Sequence, residues 1–273
     1  MRPAFSVLFL TTLLGVGQGL FVALYAIELG ASLGLAGTPV RSWLVVGSAL
    51  SLALLGLGLV ASFFHLGRPE RAWRTMTMWR TSWLSREVIV LPAFMAAVFT
   101  WVAGSWLAAP WTLWVGAVAL LLCVALFVCT GMIYACLRFL QEWASPLTVI
   151  NFFLLGLASG LSCAAMLAAF LAPGSMAPLA FWAIGFTVAG FVVRVAMLAR
   201  NARLKPKSTT QSAIGVRHPR VVQKSQGLMG GSFNTREFFH GVTLRALRHV
   251  KHCALLLGFA VPALLLLWGV ATG

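Results

Sequence analysis

His65 and Glu87 have the side chains best suited to proton chemistry, and both fall in one polar stretch. Phe63 to Val88 (FFHLGRPERAWRTMTMWRTSWLSREV) packs one histidine, two glutamates and five arginines into twenty-six residues. Histidine titrates near neutrality and passes protons, and a carboxylate beside it can orient or reprotonate it. Gly67-Arg68-Pro69 breaks the apolar helix that precedes it. Arg71, Trp73, Arg74 and Met76 then predict a short helix in the membrane interface, basic on one side and apolar on another. The chain re-enters apolar sequence at Ser85-Arg86-Glu87, so antiparallel pairing of the flanking helices brings His65 and Glu87 to similar depth. Each has a plainer reading: a glutamate in a first helical turn is favoured by the helix dipole, and a boundary histidine can simply be hydrated. Their opposition amid arginines points to a site.

Other candidates are weaker. Tyr134, one of two tyrosines, can offer its hydroxyl to a ligand carbonyl or serve as an interfacial aromatic. Gln18 stands mid-depth in the first span, where a polar side chain turns inward to a ligand or a neighbouring helix. Asn151 lies early in the fifth span. Arg86 and Arg71 can pair with Glu87 or Glu70, or meet lipid phosphate or a partner. Cys123, Cys129, Cys136, Cys163 and Cys253 form no C-x-x-C pair, which argues against iron–sulfur or structural zinc sites and for small buried hydrophobes. A six-coordinate haem needs two facing axial ligands inside the bundle. His218, His240 and His249 fall in a loop and His252 at a span edge, so no haem is expected.

The elements that position these residues follow from composition. The chain is 60% hydrophobic and 9% charged, against about 25% charged in soluble domains. This predicts an all-α polytopic membrane bundle. Spans need about 20 apolar residues, and seven are expected at 5–28, 43–64, 87–108, 112–137, 147–171, 177–199 and 252–271. The first is too long for a signal-peptide core and is expected to be retained. Glycine-rich patches at 15–19 and 156–160 suit close helix packing; Trp106, Trp111, Trp114, Trp143 and Trp182 suit the interfaces.

The net charge of +15 suggests nucleic acid less than it suggests cytoplasmic loops. Of the twenty Lys and Arg residues, nineteen fall on the side of the N-terminus and only Arg41 opposite. The positive-inside rule then places the N-terminus in the cytoplasm of a bacterial inner membrane. The chain divides into a six-span bundle (1–199), a basic cytoplasmic segment (200–250) and a last span (251–273). The middle segment, with GGSFNTREFFHG at Gly230–Gly241, reads as a docking arm or as a tether on anionic lipid.

His65-Leu66-Gly67-Arg68-Pro69 followed by Ser82-Trp83-Leu84-Ser85-Arg86-Glu87 resembles the membrane-anchor subunits of the dimethyl sulfoxide reductase type, among the complex iron–sulfur molybdoenzymes. Met132-Ile133-Tyr134-Ala135 and GGSFNTREFFHG are most similar to the anchor of the cytoplasm-facing sulfite dehydrogenase that delivers electrons to quinone. In the reductase anchors a histidine and a glutamate matching His65 and Glu87 serve the quinol site. The resemblance implies ubiquinone or menaquinone at His65 and Glu87; the reading of the residues adds Arg86, Tyr134 and Gln18 as further candidate contacts. It also implies molybdopterin and iron–sulfur clusters confined to an iron–sulfur subunit and a molybdenum subunit docked on the cytoplasmic face. Reductase anchors have eight spans, which makes eight the alternative count here; basic sequence stands where the extra span would lie, so no site is carried over from the C-terminal third. Their catalytic subunits sit outside the membrane on the side of the N-terminus, whereas the charge split here puts that side in the cytoplasm, favouring sulfite oxidation. The alternatives are a quinol-oxidising reductase anchor and a small-anion transporter. Against the latter, no mid-membrane arginine and no matching pair of interrupted spans is expected.

Overall fold

Lipid offers backbone N–H and C=O groups no hydrogen bonds, so a long apolar run must satisfy them internally, as a helix. The structure, a computed structural model, describes residues 5–64, 66–205, 210–216, 218 and 244–272. Its elements are α1 (Phe5–Ser32), α2 (Arg41–Phe63), a 3₁₀ segment (Pro69–Met78), α3 (Trp83–Leu107), α4 (Thr112–Ala135), α5 (Pro146–Leu171), α6 (Met176–Ala202), α7 (Thr210–Ile214), α8 (Leu244–Leu255), a π segment (Leu256–Ala260) and α9 (Val261–Thr272). Seven stretches are long and apolar enough to cross a membrane, the last being His249–Thr272. No strand occurs among the described residues.

The expected boundaries hold to a few residues, with one consequential shift. Ser82 caps α3 by accepting a hydrogen bond from the Ser85 N–H, so the helix starts at Trp83 and Glu87 lies beyond its first turn. The helix dipole acts within that first turn and no longer accounts for the carboxylate. The interfacial helix expected after Pro69 is present as the 3₁₀ segment. Arg194, read from sequence as part of the basic loop group, stands inside α6, eight residues before its end. A guanidinium on a long stem tolerates that depth by reaching toward the headgroups.

Successive spans pack antiparallel, and α1 sits among α2, α4 and α5. Its crossing with α5 brings backbone against backbone. A Cβ on Gly19 would lie 2.1 Å from the Gly156 carbonyl oxygen, and one on Gly160 would lie 2.1 Å from the Gly19 carbonyl carbon. Gly15-xxx-Gly19 and Gly156-xxx-Gly160 are two facing small-residue motifs that allow backbone contact without a hydrophobic driving force.

Polar side chains fasten the other helices by donating to carbonyls across the interfaces. Ser51 Oγ donates to Gly17 O at 2.8 Å, Tyr25 Oη to Leu113 O at 2.9 Å, and Trp43 Nε1 to Ala164 O at 3.4 Å. Phe21, Tyr25, Phe94 and Trp101 pack ring to ring toward the end of the bundle opposite the 3₁₀ segment. The last span lies on α6 at the edge. Trp106, Trp111, Trp114, Trp143 and Trp182 are exposed near helix ends, as interfacial tryptophans should be. Cys123 and Cys129 are buried and Cys163 half-buried, whereas Cys136 and Cys253 are exposed. The expectation of buried cysteines therefore fails for the last two, which lie at helix ends or on the peripheral span.

Replacing Gly160 with valine is expected to destabilise the chain by about 1–3 kcal/mol or more through overpacking. Gly56→Ala, whose nearest neighbour is the Met95 methyl at 4.0 Å, is expected to be tolerated. Thermal unfolding of the two purified variants, followed by near-UV circular dichroism, checks the contrast; equal melting temperatures would contradict the crossing.

Candidate functional site

Glu87 is the only one of the described acidic residues that is buried, with 6% of its surface exposed. The second turn of α3 carries it inward against α4, where Oε1 accepts a hydrogen bond of 2.5 Å from Thr130 Oγ1. Oε2 has no hydrogen-bond partner among the described residues, so one oxygen is held and the other remains available. Pro92, one turn further along α3, lacks the N–H that would reach the Val88 carbonyl. The polar character of the helix thus extends past the carboxylate.

Tyr134 stands four residues after Thr130, on the same face of α4. Its ring stacks on Phe152 and meets Trp143 edge-on, both with centroids 5.3 Å apart. Thr130 meets Glu87 directly, so the face of α4 that carries Tyr134 is the one turned to the carboxylate. The Tyr134 hydroxyl has no hydrogen-bond partner among the described residues. The structure therefore brings Glu87 and Tyr134 together, with an available carboxylate oxygen and an available phenol beside aromatic rings. This donor and acceptor set fits a flat ring bearing carbonyl oxygens.

The remaining candidates separate. His65 lies outside the described residues; the helices either side, α2 and α3, do pack together. Arg86 does not pair with Glu87. Its Nε donates to Trp79 O at 2.9 Å, its Nη2 donates to Arg80 O at 2.8 Å, and the guanidinium lies 4.2 Å from the centre of the Trp83 ring. Arg86 thus ties the end of the 3₁₀ segment to α3. Arg71 approaches Glu70 at 4.0 Å, with both exposed. Gln18 is buried in the α1–α4 contact, where Nε2 donates to Cys123 O at 3.1 Å and Cys123 Sγ returns a bond to Gln18 O at 3.8 Å. Cys123 lies two turns deeper than Thr130, about 10 Å at ~1.5 Å per residue, which sets Gln18 apart from the Glu87 group. Asn151 donates to Leu147 O at 3.0 Å and Met197 Sδ at 3.6 Å, while its buried Oδ1 has no hydrogen-bond partner among the described residues. The docking arm at Gly230–Gly241 lies outside the described residues.

The 3₁₀ segment exposes Trp73, Met76, Met78 and Trp79. Arg74 stacks on Trp73 at 5.5 Å and Arg80 on Trp79 at 5.4 Å, so cations and large apolar groups alternate on one exposed surface.

Two contacts escaped sequence reasoning. Thr130 had a faint signal, as a hydroxyl residue one helical turn before a candidate tyrosine. Glu28 accepts a hydrogen bond of 2.6 Å from Trp101 Nε1 at the far end of the bundle. Its signal was scarcity, since the chain has only five acidic residues. Among the described residues, no three His, Cys, Asp or Glu side chains converge as a metal site would require.

No solved structure matches the chain. It is 52% identical to the C subunit of the sulfite dehydrogenase of Allochromatium vinosum, over 97% of this chain and 86% of the relative. A family model described as DMSO reductase anchor subunit (DmsC) matches residues 1–223. With the seven membrane-spanning stretches and a polar site at one end of the bundle, these likenesses identify the chain as a member of the DMSO reductase anchor subunit family.

Proposed function

We propose that this chain is the quinone-reactive membrane subunit of a molybdenum iron–sulfur oxidoreductase. In this reading electrons from sulfite pass through an iron–sulfur subunit to quinone. The observation that carries it is the buried Glu87 carboxylate, fixed through one oxygen by Thr130, one helical turn from Tyr134. The relative's name supports sulfite as the electron source, and the nineteen-to-one charge split supports a cytoplasmic N-terminus in the bacterial inner membrane. The reductase direction, with quinol oxidised here, uses the same residues in reverse.

Quinone, when bound, accepts two electrons and two protons. The residues of this chain supply the rest. Tyr134 donates a hydrogen bond to one carbonyl oxygen, and Phe152 and Trp143 hold the phenol in place. Glu87 holds or delivers a proton through Oε2, while Thr130 keeps its carboxyl plane fixed. His65, adjoining the end of α2 in sequence, is the proton or hydrogen-bond donor to a carbonyl in this reading, with Glu87 orienting or reprotonating it. The exposed Trp–Arg surface of the 3₁₀ segment is the docking face for the iron–sulfur subunit. Arginine and tryptophan are the residues on which protein interfaces concentrate their energy.

Glu87→Gln or His65→Ala is expected to lower sulfite-to-quinone turnover of the complex by at least about 100-fold, the usual scale for a lost general acid or base. Sulfite oxidation with an artificial acceptor should be unchanged; parallel loss of both activities would assign the residues a structural role. Thr130→Val removes one hydrogen bond, worth about 0.5–1.5 kcal/mol. It is expected to slow quinone-linked turnover roughly 2- to 10-fold, with Thr130→Ser restoring it. Protons and electrons both arrive from the basic side, so proteoliposomes of the complex should turn over without generating a membrane potential. A potential-sensitive dye reads this directly.

A further inference from the structure

Arg86 and Glu87 are neighbours on α3, and a step of one residue along a helix turns the side chain by about 100°. Glu87 goes inward to Thr130. Arg86 goes back toward the chain that precedes the helix, where Nε donates to Trp79 O at 2.9 Å and Nη2 to Arg80 O at 2.8 Å. Its guanidinium carbon lies 4.2 Å from the centre of the Trp83 ring. One turn of α3 thus carries the buried carboxylate on one face and a clamp on another.

The stretch that this clamp holds has little else to hold it. Pro69–Met78 is a ten-residue 3₁₀ run, whereas such weak hydrogen-bond geometry seldom sustains more than about 3–4 residues. None of its residues is buried, so no core fastens it. Thr75 and Thr77 donate to Ala72 O and Arg74 O within the run, and the N–H groups of Thr81 and Ser82 close its end on Met78 O. These bonds are all local. Among the described residues, the two from Arg86 are the only side-chain hydrogen bonds that join residues 69–81 to α3. Both are charge-assisted, the stronger kind. A guanidinium can make two such bonds while it stacks on a ring, and a lysine ammonium, a point donor, cannot.

We propose that Arg86 is a positioning residue for electron delivery. It clamps the exposed surface of Trp73, Arg74, Trp79 and Arg80 to α3, so that an iron–sulfur subunit docked there stands at a fixed distance from the quinone beside Glu87. This rests on quinone being reduced at Glu87, as proposed above. Arg86 itself exchanges no electron or proton: the two electrons of sulfite reach quinone through the iron–sulfur subunit, and quinone takes up two protons as it becomes quinol.

The test compares Arg86→Gln, Arg86→Lys and Trp83→Leu with the unmodified protein. In the full-length chain in detergent, hydrogen–deuterium exchange of residues 69–82 is expected to quicken at least about tenfold in Arg86→Gln, the scale of a lost charge-assisted bond, with α4 and α5 unchanged. In the assembled complex, kcat for sulfite-to-quinone turnover should fall about tenfold or more at constant KM for quinone, as for a misplaced reactant. Sulfite oxidation with an artificial acceptor should hold. Arg86→Lys should behave like Arg86→Gln. Trp83→Leu keeps the charge and both carbonyl bonds and should show a smaller change of the same kind, roughly two- to tenfold. Unchanged exchange in Arg86→Gln overturns the clamp. Quickened exchange with unchanged kcat overturns its role in electron delivery, and so does full recovery of kcat in Arg86→Lys or a raised KM for quinone with kcat intact. Glu87→Gln in the same assay keeps the two ideas apart. Normal quinone turnover in Glu87→Gln sinks the quinone site itself, whereas an inactive Glu87→Gln beside an Arg86→Gln of normal kcat sinks the positioning role alone.

Discussion

The backbones of α1 and α5 touch at Gly19 and Gly160, and the position of everything around the candidate site follows from that contact. A bilayer supplies no hydrophobic drive to press one helix on another, because lipid tails are as apolar as the side chains they would replace. What remains is close packing and hydrogen bonding, and both begin at this crossing. Once α1 is fixed against α5, the neighbouring Gln18 reaches the Cys123 carbonyl of α4. That bond sets the height of α4, and the next two turns of α4 carry Thr130 and Tyr134 to Glu87. A close backbone contact near the middle of the bundle thus settles which side chains meet at its end.

The polar residues inside the bundle divide into two kinds. Ser51, Tyr25, Trp43 and Gln18 each donate to a carbonyl on a neighbouring helix, and are satisfied by the protein. Glu87 and Tyr134 keep one polar atom each without a partner among the described residues. Asn151 does the same at its buried Oδ1. Gln18 is the instructive case, chemically apt for a ligand yet engaged at both its amide and its backbone.

The basic end shows a similar division among arginines. Arg86 folds back onto the carbonyls of Trp79 and Arg80 and onto the Trp83 ring, holding the 3₁₀ segment flat against the start of α3. Arg200 donates to the carbonyls of Gln141 and Ala144 and braces the α4–α5 connection. Arg74 and Arg80 lie over exposed tryptophans, and Arg194 faces outward within α6. Charge that looks uniform in the sequence therefore braces backbone at some positions, stacks on exposed rings at others and stands exposed within a span at Arg194.

Seven spans, their order and the basic end were legible in the sequence because the bilayer imposes its thickness and its dielectric on composition directly. Some twenty apolar residues must become a helix, and cations must gather where water is. Glu87 was legible for the same reason, as a carboxylate too rare in such a chain to be incidental. The partners were not. Thr130 meets Glu87 across forty-three residues of chain, and Glu28 meets Trp101 across seventy-three. Such meetings depend on helix rotation and height, which no local pattern records. Whether an arginine braces a loop, stacks on a ring or stands exposed was likewise decided by rotation about a helix axis, where a shift of one residue turns the side chain by about 100°. Composition selects the solvent and the helices; the tertiary contacts alone select which faces of those helices become the site.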